Sequence, residues 1–279
     1  MKEERSMVVY LDWNIIDGIS KGRFPELKNL LHSTKRDSLI RIPYTEMHVY
    51  EACNIPLQTA NRLDLKQRNL EAIFSVSGTD YFELSEDEQN IICRQRDPRI
   101  DFKEVDNLHL FNPIASGILM AMEPIRESAL QYGLSSIELN NIEDPEELIQ
   151  RFDQAFASAY KDYAHLWPMP ITFREIMQLS FVIIDRVSDK NRELNYISHL
   201  FTTLDLLGFH SDRLIDPETK RISLWLDSYH AFWGNSSTVF ISGDRRMRQK
   251  AKIAYYIMGC DTPVFSSDEG VLFLTNLNS

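Results

Sequence analysis

The chain has 279 residues, with 41 Asp and Glu against 30 Lys and Arg, a formal net charge of −11. At 43% apolar and 25% charged residues it can bury a sizeable core, which excludes a largely disordered chain. The acidic total argues against coating nucleic acid by bulk charge but leaves room for a local basic patch.

Cys53, Cys93 and Cys260 are far apart and form no CxxC pair, which suits a reducing cytosol and gives no thiolate zinc site. The first residues mix charge signs and then run only briefly apolar, unlike a signal peptide. The longest apolar stretches, near 114–122 and 179–184, fall short of the roughly 18 residues of a membrane span. A cytoplasmic protein with no membrane contact is expected.

In chain order, residues 7–11 are continuously apolar and β-branched, as in a strand buried on both faces. A second short strand at 39–42 precedes Pro43 and a helix carrying Glu46, Met47, Val49, Tyr50 and Glu51. Residues 56–214 read almost entirely as helix. Asn112–Pro113 opens a helix over 114–132, and Asp144–Pro145 opens one running to about 166. Thr172 and Glu175 form a capping box before an apolar run ending near 187, and Gly208 stops a helix that begins near Asp189. Beyond them come a helix at 223–233 closed by Gly234 and a strand at 238–242. A basic helix at 244–258, closed by Gly259, leads to a strand at 262–266 and one more at 271–274. Strand, helix and strand at this spacing imply parallel pairing. The expected fold is α/β: a single domain whose parallel sheet, flanked by helices, is built from 1–55 and 215–279. A long all-helical insertion, about 56–214, lies between.

Four acids stand at related places in this pattern. Asp12 follows the first strand, and Asp244 follows the strand at 238–242. Glu46 and Asp227 lie on helices beside those strands. In an open parallel sheet, ligands bind beyond the carboxyl ends of the strands. Clustered carboxylates repel one another unless a cation reverses the balance, and Mg²⁺ or Mn²⁺ prefers such oxygens. Such an ion lowers the pKa of bound water and stabilises a leaving oxygen, which points to phosphodiester hydrolysis.

On these residues the chain resembles the PIN-domain nucleases. The resemblance rests on YLDWNII, with Asp12 and Asn14, and on PYTEMHVYE, with Glu46. It rests also on DSYHAF followed 17 residues later by SGDRRMR, with Asp227 and Asp244. It covers roughly residues 5–55 and 215–279. It implies a PIN-like fold and a metal-dependent endoribonuclease in which Asp12, Glu46, Asp227 and Asp244 bind Mg²⁺ or Mn²⁺. A metal-activated water would cut RNA, favoured over DNA, leaving a 3′-hydroxyl and a 5′-phosphate. Ser242 and Asn14 match polar positions of the family beside the last and first acids, which implies that both contact substrate.

Arg245, Arg246, Arg248, Lys250 and Lys252 follow Asp244 with no acid among them, and such cations can hold phosphates flanking a cut. His230, three residues after Asp227, shares its helical face and is a further candidate for phosphate contact. Each residue also has a plainer reading. Asp12 and Asp244 read as helix N-caps, Glu46 as a first-turn acid with Glu51 as its rival, and His230 as a packed histidine. The basic run reads as a solvated helix face, and Asp268 and Glu269 as turn residues. Asp227, among Leu224, Trp225, Leu226 and Tyr229, is hardest to read as surface charge.

There is no P-loop, GxGxxG, HExxH or GxSxG motif, and Asn14 stands where a haloacid-dehalogenase-type phosphatase needs a second aspartate. The alternative from another class is a non-catalytic PIN-like module that binds protein or nucleic acid. The helical insertion would then serve a protein partner or a homo-oligomer. Residues 56–214 hold 26 acids and 15 bases, and the flanking segments 15 of each, so the excess acidity lies in the insertion.

Overall fold

The apolar run near the start of the chain forms a central strand of a parallel sheet. The computed structural model describes residues 7–36, 39–56, 58–102, 129–163, 172–175, 177, 189–211 and 217–277. Strand β1 (Met7–Leu11) lies between β2 (Ile40–Arg41) and β5 (Val239–Ile241), and β6 (Val264–Phe265) completes the order β2-β1-β5-β6. All three pairings are parallel. The protein is therefore α/β, with a four-stranded parallel sheet flanked by helices.

Helices α1 (Trp13–Ser20) and α2 (Pro25–Arg36) connect β1 to β2. After β2 come α3 (Glu46–Cys53), α4 (Arg62–Ser77) and a hairpin of β3 (Asp80–Leu84) and β4 (Ile91–Gln95). Short helices α5 (Pro98–Asp101) and α6 (Ser136–Leu139) precede α7 (Pro145–Tyr163), α8 (Asp189–Leu206) and α9 (Pro217–Asn235). Helix α10 (Arg245–Met258) joins β5 to β6, and α11 (Ser267–Leu277) follows.

Alternation along the strands divides the sheet's two faces. Val9, Leu11, Val239 and Ile241 are buried in one apolar core with Ile15, Ile16, Leu27, Leu31, Leu70 and Leu274. Tyr10 and Phe240 point the other way, with ring centroids 5.8 Å apart. From β1 the chain leaves toward β2, and from β5 toward β6. The connections therefore diverge between two adjacent strands, the switch point of the sheet.

Local signals set many of the helix ends. Asp144 Oδ1 accepts from the Glu146 amide at 3.1 Å, opening α7. Thr172 and Glu175 exchange bonds of 2.7 and 3.2 Å as a capping box. Gly208, at φ +88°, and Gly259, at φ +69°, follow α8 and α10 in the left-handed conformation that halts a helix.

Three expectations are corrected. The segment 56–214 is not all-helical, because β3 and β4 pair antiparallel. Tyr44, beyond β2, bridges Tyr81 of β3. Residues 271–274 are helix, not strand, since α11 runs through them. Ser266 and Glu269 open it with reciprocal bonds of 2.7 and 3.3 Å. Gly234 lies inside α9 rather than closing it. The helices expected at 114–132 and up to 187 fall largely outside the described residues.

Contacts divide the chain into two compact units: residues 1–110, 230–248 and 262–279, and residues 111–229 and 249–261. The boundary thus falls well after residue 56, and α4 and the hairpin belong with the sheet. The second unit has its own buried residues, among them Leu148, Phe152, Phe173, Leu200, Phe201 and Leu204. The Phe152 and Phe173 rings lie 4.8 Å apart. Among the described residues no helix is long and apolar enough to cross a membrane.

Candidate active site

The β-ladder carries Asp12 to the carboxyl end of β1, where its amide donates to Ile241 O at 3.0 Å. Asp12 is only 1% exposed, and both carboxylate oxygens are engaged. Oδ1 accepts from the Ile15 amide at 2.9 Å, so the N-cap reading of Asp12 is correct. Oδ2 accepts from the Ser242 hydroxyl at 2.5 Å. Burial raises the Asp12 carboxyl above its ordinary range, against the lowering effects of the Ser242 hydrogen bond, the His230 charge and the Ile15 amide.

Ser242 is fully buried and also accepts from the Asp244 amide at 3.1 Å. One hydroxyl thereby ties the end of β1 to the turn after β5. Asp244 caps α10, its Oδ1 accepting from the amides of Arg246 at 2.7 Å and Met247 at 3.3 Å. Its Oδ2 accepts no hydrogen bond among the described residues. Gly243 passes close to Asn14, and a Cβ built there would stand 3.4 Å from the Asn14 Cβ. Asn14 is exposed on the first turn of α1.

On the other face of β1 lies a buried polar network that no short sequence motif marks. Thr45 N–H donates to His48 Nδ1 at 3.0 Å, which makes Nε2 the protonated nitrogen, donating to Leu11 O at 2.7 Å. Burial, then the His230 charge, pushes His48 well below the usual imidazole range and keeps it neutral. The Tyr10 hydroxyl lies 3.2 Å from Thr45 Oγ1 and 2.8 Å from His230 Nδ1. His230 Nε2 lies 2.7 Å from Glu51 Oε2. Burial holds the Tyr10 phenol well above its ordinary range, so it keeps its proton.

The two α3 acids are thereby distinguished. Glu51 is bonded to His230 and contributes negative charge at Asp12. Glu46 faces the hairpin, where burial and then the Glu83 charge raise its carboxyl. Glu51, the rival of Glu46, is thus the α3 acid whose charge is felt at Asp12, while the Glu46 charge is felt at Tyr81 of the hairpin and at Tyr10. The signal that could have found it is the spacing His48-x-x-Glu51, which puts both on one face of α3. Asp227 belongs to the second unit, on α9 one turn before His230.

Three expected substrate contacts are corrected. His230 is 2% exposed and spends both ring nitrogens inside the protein. Ser242 serves Asp12. Lys250 is 1% exposed, and its ammonium pairs with the buried Asp205 at 3.1 Å. Arg248 is half-buried and donates to Ser242 O at 2.8 Å, bracing the turn after β5. Of the residues expected to hold phosphate, Arg245 and Arg246 are exposed.

Among the described residues no three His, Cys, Asp or Glu side chains stand together closely enough to hold a metal ion. The donor set nonetheless suits a hard cation. Asp12 retains a second lone pair on each oxygen, and Asp244 Oδ2 and Glu51 Oε1 are uncommitted among the described residues. The fold and site define an α/β protein with buried and capping acids at the switch point of a parallel sheet. Compared with models of known families, with curated proteins and with solved structures, the chain matches none.

Proposed function

We propose that the protein is a PIN-like, metal-dependent phosphodiesterase that cuts RNA. The observation that carries this reading is Asp12, a buried carboxyl group at the switch point, joined through the Ser242 hydroxyl to the Asp244 turn. Burial disfavours the ionised form of Asp12 even with the His230 charge near it, and a divalent cation at that edge would offset the cost.

Asp12, Asp244 and Glu51 would have to be drawn together by the ion, since they form no ready-made ligand group among the described residues, with Glu51 in the role that the sequence gives to Glu46. Bound Mg²⁺ or Mn²⁺ supplies a Lewis acid that acidifies water and neutralises charge at phosphorus. Ser242 and the Ile15 amide fix the Asp12 carboxylate, so the site spends little ordering it. Arg245 and Arg246 would steady the phosphates flanking the cut, and Asn14 offers an amide at the same edge.

The test is incubation of end-labelled single-stranded RNA and DNA of one sequence with Mn²⁺ or with EDTA. Cleavage of RNA in Mn²⁺, slower cleavage of DNA, and none in EDTA are expected. Cutting that ignores EDTA would sink the metal mechanism. No cutting in Mn²⁺ would favour the non-catalytic module. Replacing Arg245 and Arg246 by Ala should weaken RNA binding across sequences and lower the salt slope of log K by about 0.7 for each phosphate no longer neutralised. Fluorescence anisotropy at several salt concentrations reads that slope.

A further inference from the structure

The network behind β1 joins three elements that carry the candidate acids. Tyr10 and Leu11 belong to β1, which ends at Asp12. Thr45 caps α3, which carries His48 and Glu51, and His230 belongs to α9. The bonds run without a break. Glu51 meets His230 at 2.7 Å, His230 meets Tyr10 at 2.8 Å, and Tyr10 meets Thr45 at 3.2 Å. Thr45 meets His48 at 3.0 Å, and His48 meets the Leu11 carbonyl at 2.7 Å. Tyr10, Thr45, His48 and His230 are all buried, while Glu51 reaches the surface with 22% of its side chain exposed. The rings pack as well, with Tyr10 and His48 centroids 5.2 Å apart and His48 and His230 4.9 Å apart.

A fully bonded buried network fixes its members far better than a surface contact. A carboxylate held by an imidazole, itself held by a phenol, is the arrangement that orients a ligand from behind. We infer that His230, locked by Tyr10, is a positioning residue that fixes the Glu51 carboxylate as a ligand for the ion, with Thr45 and His48 fixing α3 to β1. This inference rests on the phosphodiesterase reading and extends it to residues that do not touch substrate.

The test measures Mn²⁺ binding by calorimetry, RNA cleavage and thermal melting on the full chain with His230→Ala, His230→Gln and Tyr10→Phe. Variants that lose such supporting bonds should bind Mn²⁺ about 10- to 100-fold more weakly. His230→Ala should lose kcat by a similar factor, with KM for RNA little changed. His230→Gln, whose amide can still donate to Glu51, should recover most of both. Tyr10→Phe keeps the packing and removes only the hydroxyl, so it stays informative if His230→Ala fails to fold. Wild-type Mn²⁺ affinity and kcat in folded Tyr10→Phe, or in folded His230→Ala, would overturn the inference. Asp12→Asn separates the two levels. If it retains full activity, the phosphodiesterase reading fails. If it is inactive while the His230 and Tyr10 variants match wild type, only the positioning role fails.

Discussion

Asp12→Asn should abolish cleavage and at the same time make the metal-free protein more stable at neutral pH. Loss of a ligand that helps stabilise charge in the transition state costs several kcal/mol, about a thousandfold or more in rate. The stability gain has a separate origin. Burial raises the Asp12 carboxyl above its unfolded value, so the folded protein holds that proton more tightly than the unfolded chain does. Stability therefore falls as pH rises from the unfolded carboxyl range through the folded value, and the full penalty is present above it. Asparagine removes the charge and keeps both contacts. Its Oδ1 can accept from the Ile15 amide, and its Nδ2 can donate to Ser242 Oγ. Melting curves in EDTA across acidic and neutral pH should show the variant above wild type at pH 7, with the gap closing as the medium is acidified. A variant less stable at pH 7 that still cuts RNA would contradict both halves. Stability gained where activity is lost is the mark of a residue kept for function rather than for folding.

The parts legible in the sequence are those governed by short-range physics. The run at residues 7–11, short, apolar and β-branched, reads as a buried strand, and that places Asp12 behind it at the sheet's carboxyl edge. Asp144, the Thr172 and Glu175 pair, Gly208 and Gly259 act through bonds within a few residues, so their pattern is visible in one dimension. The hairpin was hidden for the opposite reason. Its turn puts Glu88, not glycine, at φ 56°, so the glycine signal of a tight hairpin is missing, although Ser85 and Asp87 bond the turn's amides, and the strands mix apolar and charged residues. Missing the hairpin also hid Glu83, whose charge lies near Glu46, and so left Glu46 as the obvious α3 acid. The apolar residues at 271–274 suit helix or strand equally, and Ser266 and Glu269, a capping box in plain sight, decide for helix. His230 needed a partner 220 residues away in Tyr10, which no local pattern contains.

Lys250→Met should destabilise the protein by about 3–5 kcal/mol, the cost of removing one partner from a buried ion pair. The basic run looks uniform in sequence, but α10 turns its residues to different sides. Arg245 and Arg246 are exposed, Met247 is buried, and Lys250 is buried on the side that meets Asp205. The Lys250 ammonium and the Asp205 carboxylate are 1% and 0% exposed, with an N–O distance of 3.1 Å. Methionine fills much the same volume without the charge, so the loss measures Asp205 left buried without its ammonium partner rather than a cavity. The double variant Lys250→Met with Asp205→Leu removes both charges and should recover most of the stability, or all of it. Urea denaturation of the two variants reads the difference directly. Equal destabilisation in both would show that Asp205 is held mainly by other groups. If Lys250 instead gripped phosphate, Lys250→Met would weaken RNA binding with no change in the urea midpoint. The same α10 therefore carries two kinds of cation: Arg245 and Arg246, whose loss should change RNA affinity and not the midpoint, and Lys250, whose loss should do the reverse.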